Sequence, residues 1–326
     1  MTALRLVVVL AVAVLAMPTS AESQPAGKVY RIGLLETGAL RPRPWAAFQE
    51  RMRELGYVEG KTVAFEARWA DGQLDRLPAL TAELLRLKVD VIVTAGSPAA
   101  QAAKSGTAST PVVMATGGDP VGLGLVDSLA RPGGNVTGMT TLSRELSGKR
   151  LEVFREALPG VSRMGLLWHR TSRIDALTRR ETEQAAQTVG ISLKAHGVDG
   201  PDDFDRALGA MVAERAGAVL VATSPMFLGS RRQLAELAAK HRLPTMFAFR
   251  EYVEAGGLMA YGPSYVDLFR RAAGYADRIL KGTKPADLPI EQPTRFELII
   301  SMKTAKTLAL TIPPSVRARA DELIEQ

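Results

Sequence analysis

Val89-Asp90-Val91-Ile92-Val93-Thr94-Ala95 runs straight into Gly96-Ser97-Pro98, and the reading of this stretch decides the fold. The first part is short, rich in β-branched residues and carries a single charge, which suits a strand buried on both faces. Ser97 and Pro98 then open a helix, with serine as N-cap and proline at the first helical position. A strand turning into a helix across one glycine is the unit from which parallel sheets covered by helices are built.

The unit recurs on either side. Upstream, Tyr30 to Leu35 (YRIGLL) reads as a buried strand. Trp45 to Leu55 reads as a helix, with Trp45, Phe48, Met52 and Leu55 at helical spacing and Gly56 as its stop. Thr62 to Trp69 is strand-like, and Leu74 to Leu87 an amphipathic helix. Downstream come a strand at Val112 to Ala115 and a helix over 120–130, closed by the turn Arg131-Pro132-Gly133-Gly134-Asn135. A helix over about 145–158 separates this half from a second series. There, strands are expected at Arg163–Trp168, Ile191–Ala195, Ala218–Ala222, Pro244–Phe249 and Gly257–Tyr261, with helices over 173–189, 204–214, 229–241 and 265–280. Glu297 to Ser301 (ELIIS) is a last strand before C-terminal helices.

This rhythm predicts an α/β chain of two doubly wound, Rossmann-like lobes with parallel sheets. Candidate crossings between lobes fall near 140–144, 261–264 and 292–297. They give a first lobe of 28–141 plus 262–294 and a second of 142–261 plus 295–326. Three connections between stiff lobes make a hinge, and hinged lobes close on a ligand.

The N-terminus has export grammar. Arg5 precedes an apolar run from Leu6 to Met17, then Pro18 and the small residues Thr19-Ser20-Ala21. The run is too short to cross a hydrocarbon core of about 30 Å, which takes roughly 20 apolar residues. Residues 1–21 are therefore expected to be a cleaved signal peptide. The chain has 0 cysteines, which excludes disulfides and a lipidated cysteine at the cut, so a free periplasmic protein is expected. With 46% hydrophobic and 23% charged residues the composition is that of an ordinary globular protein. The net charge of +7 is scattered in isolated pairs such as Arg231-Arg232 and Arg270-Arg271, without aromatic platforms, so no nucleic-acid partner is expected.

Recognisable catalytic patterns are absent from the sequence. His169, His196 and His241 lie in separate segments, and no His-Glu-x-x-His run, nucleophile elbow or Walker A loop occurs. The glycines of 117–124 lack dinucleotide spacing. No enzyme activity, cofactor or metal is expected.

Ligands of open parallel sheets bind at the carboxyl ends of the strands. The loops there are Glu36-Thr37-Gly38, Ala95-Gly96-Ser97-Pro98, Thr116-Gly117-Gly118-Asp119, His169-Arg170-Thr171, Thr223-Ser224-Pro225 and Arg250-Glu251. Hydroxyls beside the free amides of helix starts suit a carboxylate. Candidate ligand-binding residues are Thr37, Gly38, Trp45, Ser97, Pro98, Gly118, Trp168, Thr223, Ser224, Phe249, Arg250 and Tyr261. Each has a plainer role. Ser97, Thr223 and Ser224 would cap their own helices, as Asp119 would before Pro120. Trp45 and Trp168 would fill the core, Arg250 would pair with Glu251 or Glu254, and His169 would be a polar loop residue.

The stretch from Asp119-Pro120-Val121-Gly122-Leu123-Gly124 through Arg131-Pro132-Gly133-Gly134-Asn135 to Val136-Thr137-Gly138 closely resembles the substrate-binding proteins of ABC transporters with the type I periplasmic fold. Ser147-Gly148-Lys149-Arg150-Leu151-Glu152 is similar to the same family. So is the tail through Lys281-Gly282, Asp287-Leu288-Pro289, Phe296–Ile300, Lys303-Thr304-Ala305 and Ile312-Pro313-Pro314. The resemblance implies a clamshell receptor for a small-molecule ligand, serving an inner-membrane permease and its cytoplasmic ATPase. Some relatives bind aromatic or other amino acids. The family usually has Asn where this chain has Ser301, so ligand identity does not carry over. A sensory ligand-binding module and an exported α/β enzyme are the alternatives; a DNA-binding regulator is not, because the signal occupies the place of its DNA-reading helices.

Overall fold

The computed structural model describes residues 28–38, 42–142 and 146–325; the expected signal peptide at 1–21 lies outside them. The first sheet runs in the order β2-β1-β3-β4-β5 and is wholly parallel. Its strands are β1 (Tyr30–Glu36), β2 (Val63–Trp69), β3 (Val91–Ala95), β4 (Val112–Thr116) and β5 (Val136–Gly138). Every residue of β3 and β4 is buried, as two-sided burial demands of unalternating apolar runs. Helices α1 (Pro42–Glu54), α2 (Leu77–Arg86) and α3 (Ser97–Gly106) connect these strands.

The second sheet has the order β12-β11-β10-β9-β8-β6-β7. It comprises β6 (Arg163–His169), β7 (Ser192–Val198), β8 (Ala218–Val221), β9 (Thr245–Phe247), β10 (Met259–Pro263), β11 (Phe296–Ser301) and β12 (Glu322–Ile324). Around it lie α4 (Ser147–Ala157), α5 (Arg173–Val189), α6 (Phe204–Ala213), α7 (Pro225–Gly229), α8 (Arg231–Lys240) and α9 (Arg250–Glu254). After β10 the chain leaves for the first lobe, where α10 (Tyr265–Leu280) packs against α1, β3 and β4. Trp45 and Phe269 meet edge-to-face at 4.8 Å in that contact, above the buried Ala272, Ala273 and Ala276. Each such large apolar side chain contributes about 1.5–3 kcal/mol by leaving water. The chain then returns as β11, followed by α11 (Met302–Thr307), α12 (Pro314–Arg317) and β12. Because it re-enters the sheet from the end at which β10 left it, β11 runs antiparallel to β10, the one antiparallel pairing among the described strands.

Three segments thus cross between the lobes. Two of them pair: Thr140 donates its amide to the Glu291 carbonyl at 3.0 Å, and Glu291 donates to the Gly138 carbonyl at 2.9 Å. Gly138 sits at φ +123°, and a Cβ there would lie 2.2 Å from the Met114 carbonyl oxygen, so only glycine lets this crossing lie so close to β4. The third crossing is tied down by Arg150, a buried cation of α4, whose Nε donates to the Tyr261 carbonyl at 2.8 Å.

Four expectations need correction. The helix over 120–130 is a single turn. Asp119 Oδ1 accepts from the Gly122 amide at 2.9 Å, and Gly124 at φ +68° ends the turn, with Pro132 preventing recovery. The helix over 229–241 is split at Ser230 into α7 and α8, and α7 begins earlier, at Pro225. The strand expected to reach Phe249 ends at Phe247. The tail adds β12 to the sheet edge after its two short helices.

Candidate functional site

A cavity of about 300 Å³ lies where the carboxyl ends of the two sheets face each other. The lobes touch around it. A Cβ built on Gly118 would lie 3.5 Å from Ile174 Cγ2, and one on Gly96 3.9 Å from Pro225 Cγ, both across the gap. The volume is at the small end of the roughly 300–1,000 Å³ typical of small-molecule pockets.

The first-lobe wall is a closed set of hydrogen bonds. Thr37, beyond β1, donates its hydroxyl to the Ala95 carbonyl at 3.0 Å and accepts from the Ala99 amide at 3.3 Å, so it caps α3 from a neighbouring strand. The N-cap residue proper is Gly96, at φ +93°. A Cβ there would meet Thr37 Oγ1 at 2.5 Å. Ser97 is therefore one position inside the helix and is not its cap. Its hydroxyl instead accepts from the Gly118 amide at 3.0 Å and donates to the Gly118 carbonyl at 3.3 Å, pinning the loop after β4. Glu36 ends β1 almost fully buried, with one oxygen taking the Trp45 indole N–H and the other the Gly38 amide, both at 3.3 Å.

The second-lobe wall is different. Ser172 caps α5 by accepting from the Asp175 amide at 3.1 Å, and Asp175 Oδ2 accepts from the His169 amide at 3.0 Å. Asp175 is completely buried, lines the cavity, and its Oδ1 has no hydrogen-bond partner. Burial pushes its carboxyl up to about 7, against the pull of the His169 amide and the Ser172 hydroxyl. Thr223 Oγ1, also at the cavity wall, is buried and unpartnered. A buried polar atom left in that condition costs about 1–3 kcal/mol. Ser224 caps α7, accepting from the Phe227 amide at 3.5 Å. Phe249 and Tyr265, one from each lobe, hold their rings 4.1 Å apart, tilted by 31°, and form an aromatic wall. His169 pairs with the Thr171 hydroxyl at 3.0 Å, and burial holds its imidazole below the usual range.

Of the candidates from sequence, Thr37, Gly38, Ser97, Pro98, Gly118, Thr223, Ser224 and Phe249 line the cavity. The other four stand away from it. Trp45 sits behind Glu36 and positions that carboxylate. Trp168 is not part of the cavity lining and has the Arg179 guanidinium of α5 5.1 Å from its ring. Tyr261 stacks near Phe296 at 6.3 Å. Arg250 turns to the sheet edge, where Glu322 at 2.7 Å, Glu297 at 3.5 Å and Glu254 at 3.7 Å converge on it. Asp175, Arg231 and Tyr265 line the cavity without having been singled out. For Asp175 a signal existed: Ser172-x-x-Asp175 directly after a strand is a capping-box pattern. Tyr265 had none, since it reaches the cleft only through the crossing after β10. Among the described residues no group of three or more His, Asp or Glu could hold a metal ion, and no helix is long and apolar enough to cross a membrane.

Two doubly wound lobes joined by three crossings and closed on a cavity at their strand ends define a type I periplasmic binding fold. A sequence model of the family described as ABC transporter substrate binding protein matches residues 41–324, and the chain belongs to that family. It is a family of binding proteins and not of enzymes. The chain is similar to a tyrosine-binding protein of Clostridioides difficile (strain R20291), 25% identical over 263 residues, which cover 80% of this chain and 75% of that one. It is also similar to the solved ABC domain in complex with L-Trp from Streptococcus pneumonia, with a TM-score of 0.85, 25% identity and coverage of 91% of this chain and 100% of that one. A conserved domain protein from Vibrio cholerae matches with a TM-score of 0.84, 27% identity and the same coverages of 91% and 100%.

Proposed function

We propose that the protein is the periplasmic solute receptor of an ABC importer and closes over one small, carboxylated, amino-acid-like ligand, which it delivers to an inner-membrane permease driven by a cytoplasmic ATPase. The observation that carries this reading is the cavity itself: small, at the strand ends of both sheets, and lined by residues of both lobes. The ligand carboxylate sits against the first-lobe wall, where the positive end of the α3 dipole favours negative charge. Its side chain lies along Phe249 and Tyr265. The relatives bound to tryptophan and tyrosine favour an aromatic side chain there.

Mass spectrometry of ligand released from the purified protein tests this, followed by a thermal-shift screen of amino acids and other carboxylates. A true ligand at 100 times its dissociation constant stabilises the protein by about 2.7 kcal/mol. If no small molecule is released and none in the screen raises the melting temperature, the receptor reading is wrong.

A further inference from the structure

We infer that Arg43 of the first lobe and Glu254 of the second form an electrostatic latch, in which a carboxylate cluster on the second lobe receives its second cation only when the lobes are closed. Such a latch acts on closure whatever the guest, and so stands apart from the ligand proposed above.

Three observations converge on this pair. The Arg43 guanidinium, near the start of α1, donates from Nη1 to Glu254 Oε1 at 2.6 Å, and the two residues belong to different lobes. The acid it meets is one of three that share a single guanidinium of their own lobe. Arg250 lies 2.7 Å from Glu322, 3.5 Å from Glu297 and 3.7 Å from Glu254, and Glu254 is the most distant of them. Arg250 therefore leaves negative charge unbalanced at this edge of α9, β11 and β12. The Arg43 charge reaches beyond its direct partner: the Arg250 guanidinium holds the Glu322 carboxyl below the usual carboxylate range, and Arg43 adds to that pull. Neither residue is placed to serve its own helix. Arg43 is the second residue of α1, where the positive end of the helix dipole disfavours a cation, and Glu254 is the last of α9, where an anion is disfavoured. Both local costs are offset only across the gap. Opening the lobes returns Arg43 to water and leaves three carboxylates around one guanidinium. The Arg43 side chain is 64% exposed and that of Glu254 35%, so the pair shifts the closed-to-open ratio by a few-fold and leaves the fold alone.

The test measures closure without any ligand. The chain has 0 cysteines, so the double substitution Gly118→Cys with Ile174→Cys creates a single disulfide pair across the gap. A Cβ on Gly118 lies 3.5 Å from Ile174 Cγ2, close enough for a bond when the lobes are shut. The equilibrium constant for its oxidation in a glutathione buffer then reports how readily the lobes close. In that background Arg43→Gln should lower the constant by about two- to fivefold. Arg43→Glu, which sets a fourth carboxylate against the cluster, should lower it by about tenfold. The swap of Arg43→Glu with Glu254→Arg should return it to within about threefold of the parent, and 1 M NaCl should erase most of the difference between parent and Arg43→Gln. Equal constants in the parent and Arg43→Glu overturn the latch, and so does a swap that recovers nothing. A parent pair that forms no disulfide removes the closed geometry on which the latch depends and overturns it too. Binding of L-tryptophan by wild type bears on the receptor reading and leaves each of these outcomes unchanged.

Discussion

The two walls of the cleft are made from the same local unit, a strand end feeding a helix start, yet they end in opposite states. On the first lobe Thr37, Ser97 and Glu36 satisfy backbone groups and one another, so the wall is built before any guest arrives. On the second lobe Asp175 and Thr223 keep unused acceptors at the surface of the cavity, and Tyr252, fully buried in α9, has an unpartnered hydroxyl too. One wall is closed on itself by hydrogen bonds. The other holds charge that burial disfavours. Unspent polar atoms of the cavity wall, Asp175 Oδ1 and Thr223 Oγ1, thus lie on the second lobe.

The largest effect that distinguishes the walls is a pH dependence of stability in the unliganded protein. Asp175 ionises near 3.8 when exposed and near about 7 in the fold. Between those values the folded chain binds a proton that the unfolded chain does not. Its contribution to stability is complete below pH about 4, erodes as the pH rises, and is gone once the pH passes about 7. Three pH units correspond to about 4 kcal/mol. Tyr252 faces the carboxyl from α9 and His169 from β6, with Glu36, Arg173 and Arg231 elsewhere on the cavity wall. His169, depressed by burial, acts in the opposite sense just below its usual 6.5. Urea unfolding of wild type and Asp175→Asn from pH 4 to 8 separates these contributions, because the variant keeps His169. A slope unchanged by the substitution would remove the asymmetry.

Next in size is Gly96→Ala, aimed at the first-lobe wall. The residue needs φ +93°, and its Cβ would be 2.5 Å from Thr37 Oγ1, which two hydrogen bonds hold in place. A loss of about 2–3 kcal/mol is expected in unliganded protein. Thr37→Ala removes the collision but not the strain, so the double variant should be less destabilised than the sum of the singles. Additivity would show that the two do not form one device.

Much of this architecture is legible in the amino-acid order. Val91–Ala95 and Ala218–Val221 are short, uncharged runs rich in β-branched residues and bounded by turn signals, which is the pattern of a buried strand. What failed to read were places where backbone chemistry beats periodicity. Val121, Leu125 and Leu129 have helical spacing, but Gly122, Gly124 and Pro132 do not let the turn continue. Likewise β12 owes its place to the β11 edge and not to its own sequence. The strand-end rule brought out most of the loops now seen around the cavity. It could not reveal which hydroxyl is spent internally: Ser97 looks like a cap and pins a loop, while Ser224 looks the same and is a cap.

That pair supplies the finest contrast. Ser224→Ala removes an N-cap whose hydrogen bond is already long, 3.5 Å, and whose side chain is buried, so it should cost about 1 kcal/mol of stability. Ser97→Ala frees the Gly118 amide and carbonyl in a half-buried loop that water reaches, so unliganded stability should fall by no more than about 0.5 kcal/mol. The loop it frees faces Ile174 across the gap, however, and must be ordered again each time the lobes close. Affinity should therefore suffer more than stability for Ser97→Ala, and stability more than affinity for Ser224→Ala. Melting curves with and without L-tryptophan give both numbers for each variant. Two variants that lose stability and affinity in the same ratio would show that these serines do one job, and that the walls differ only in their acids.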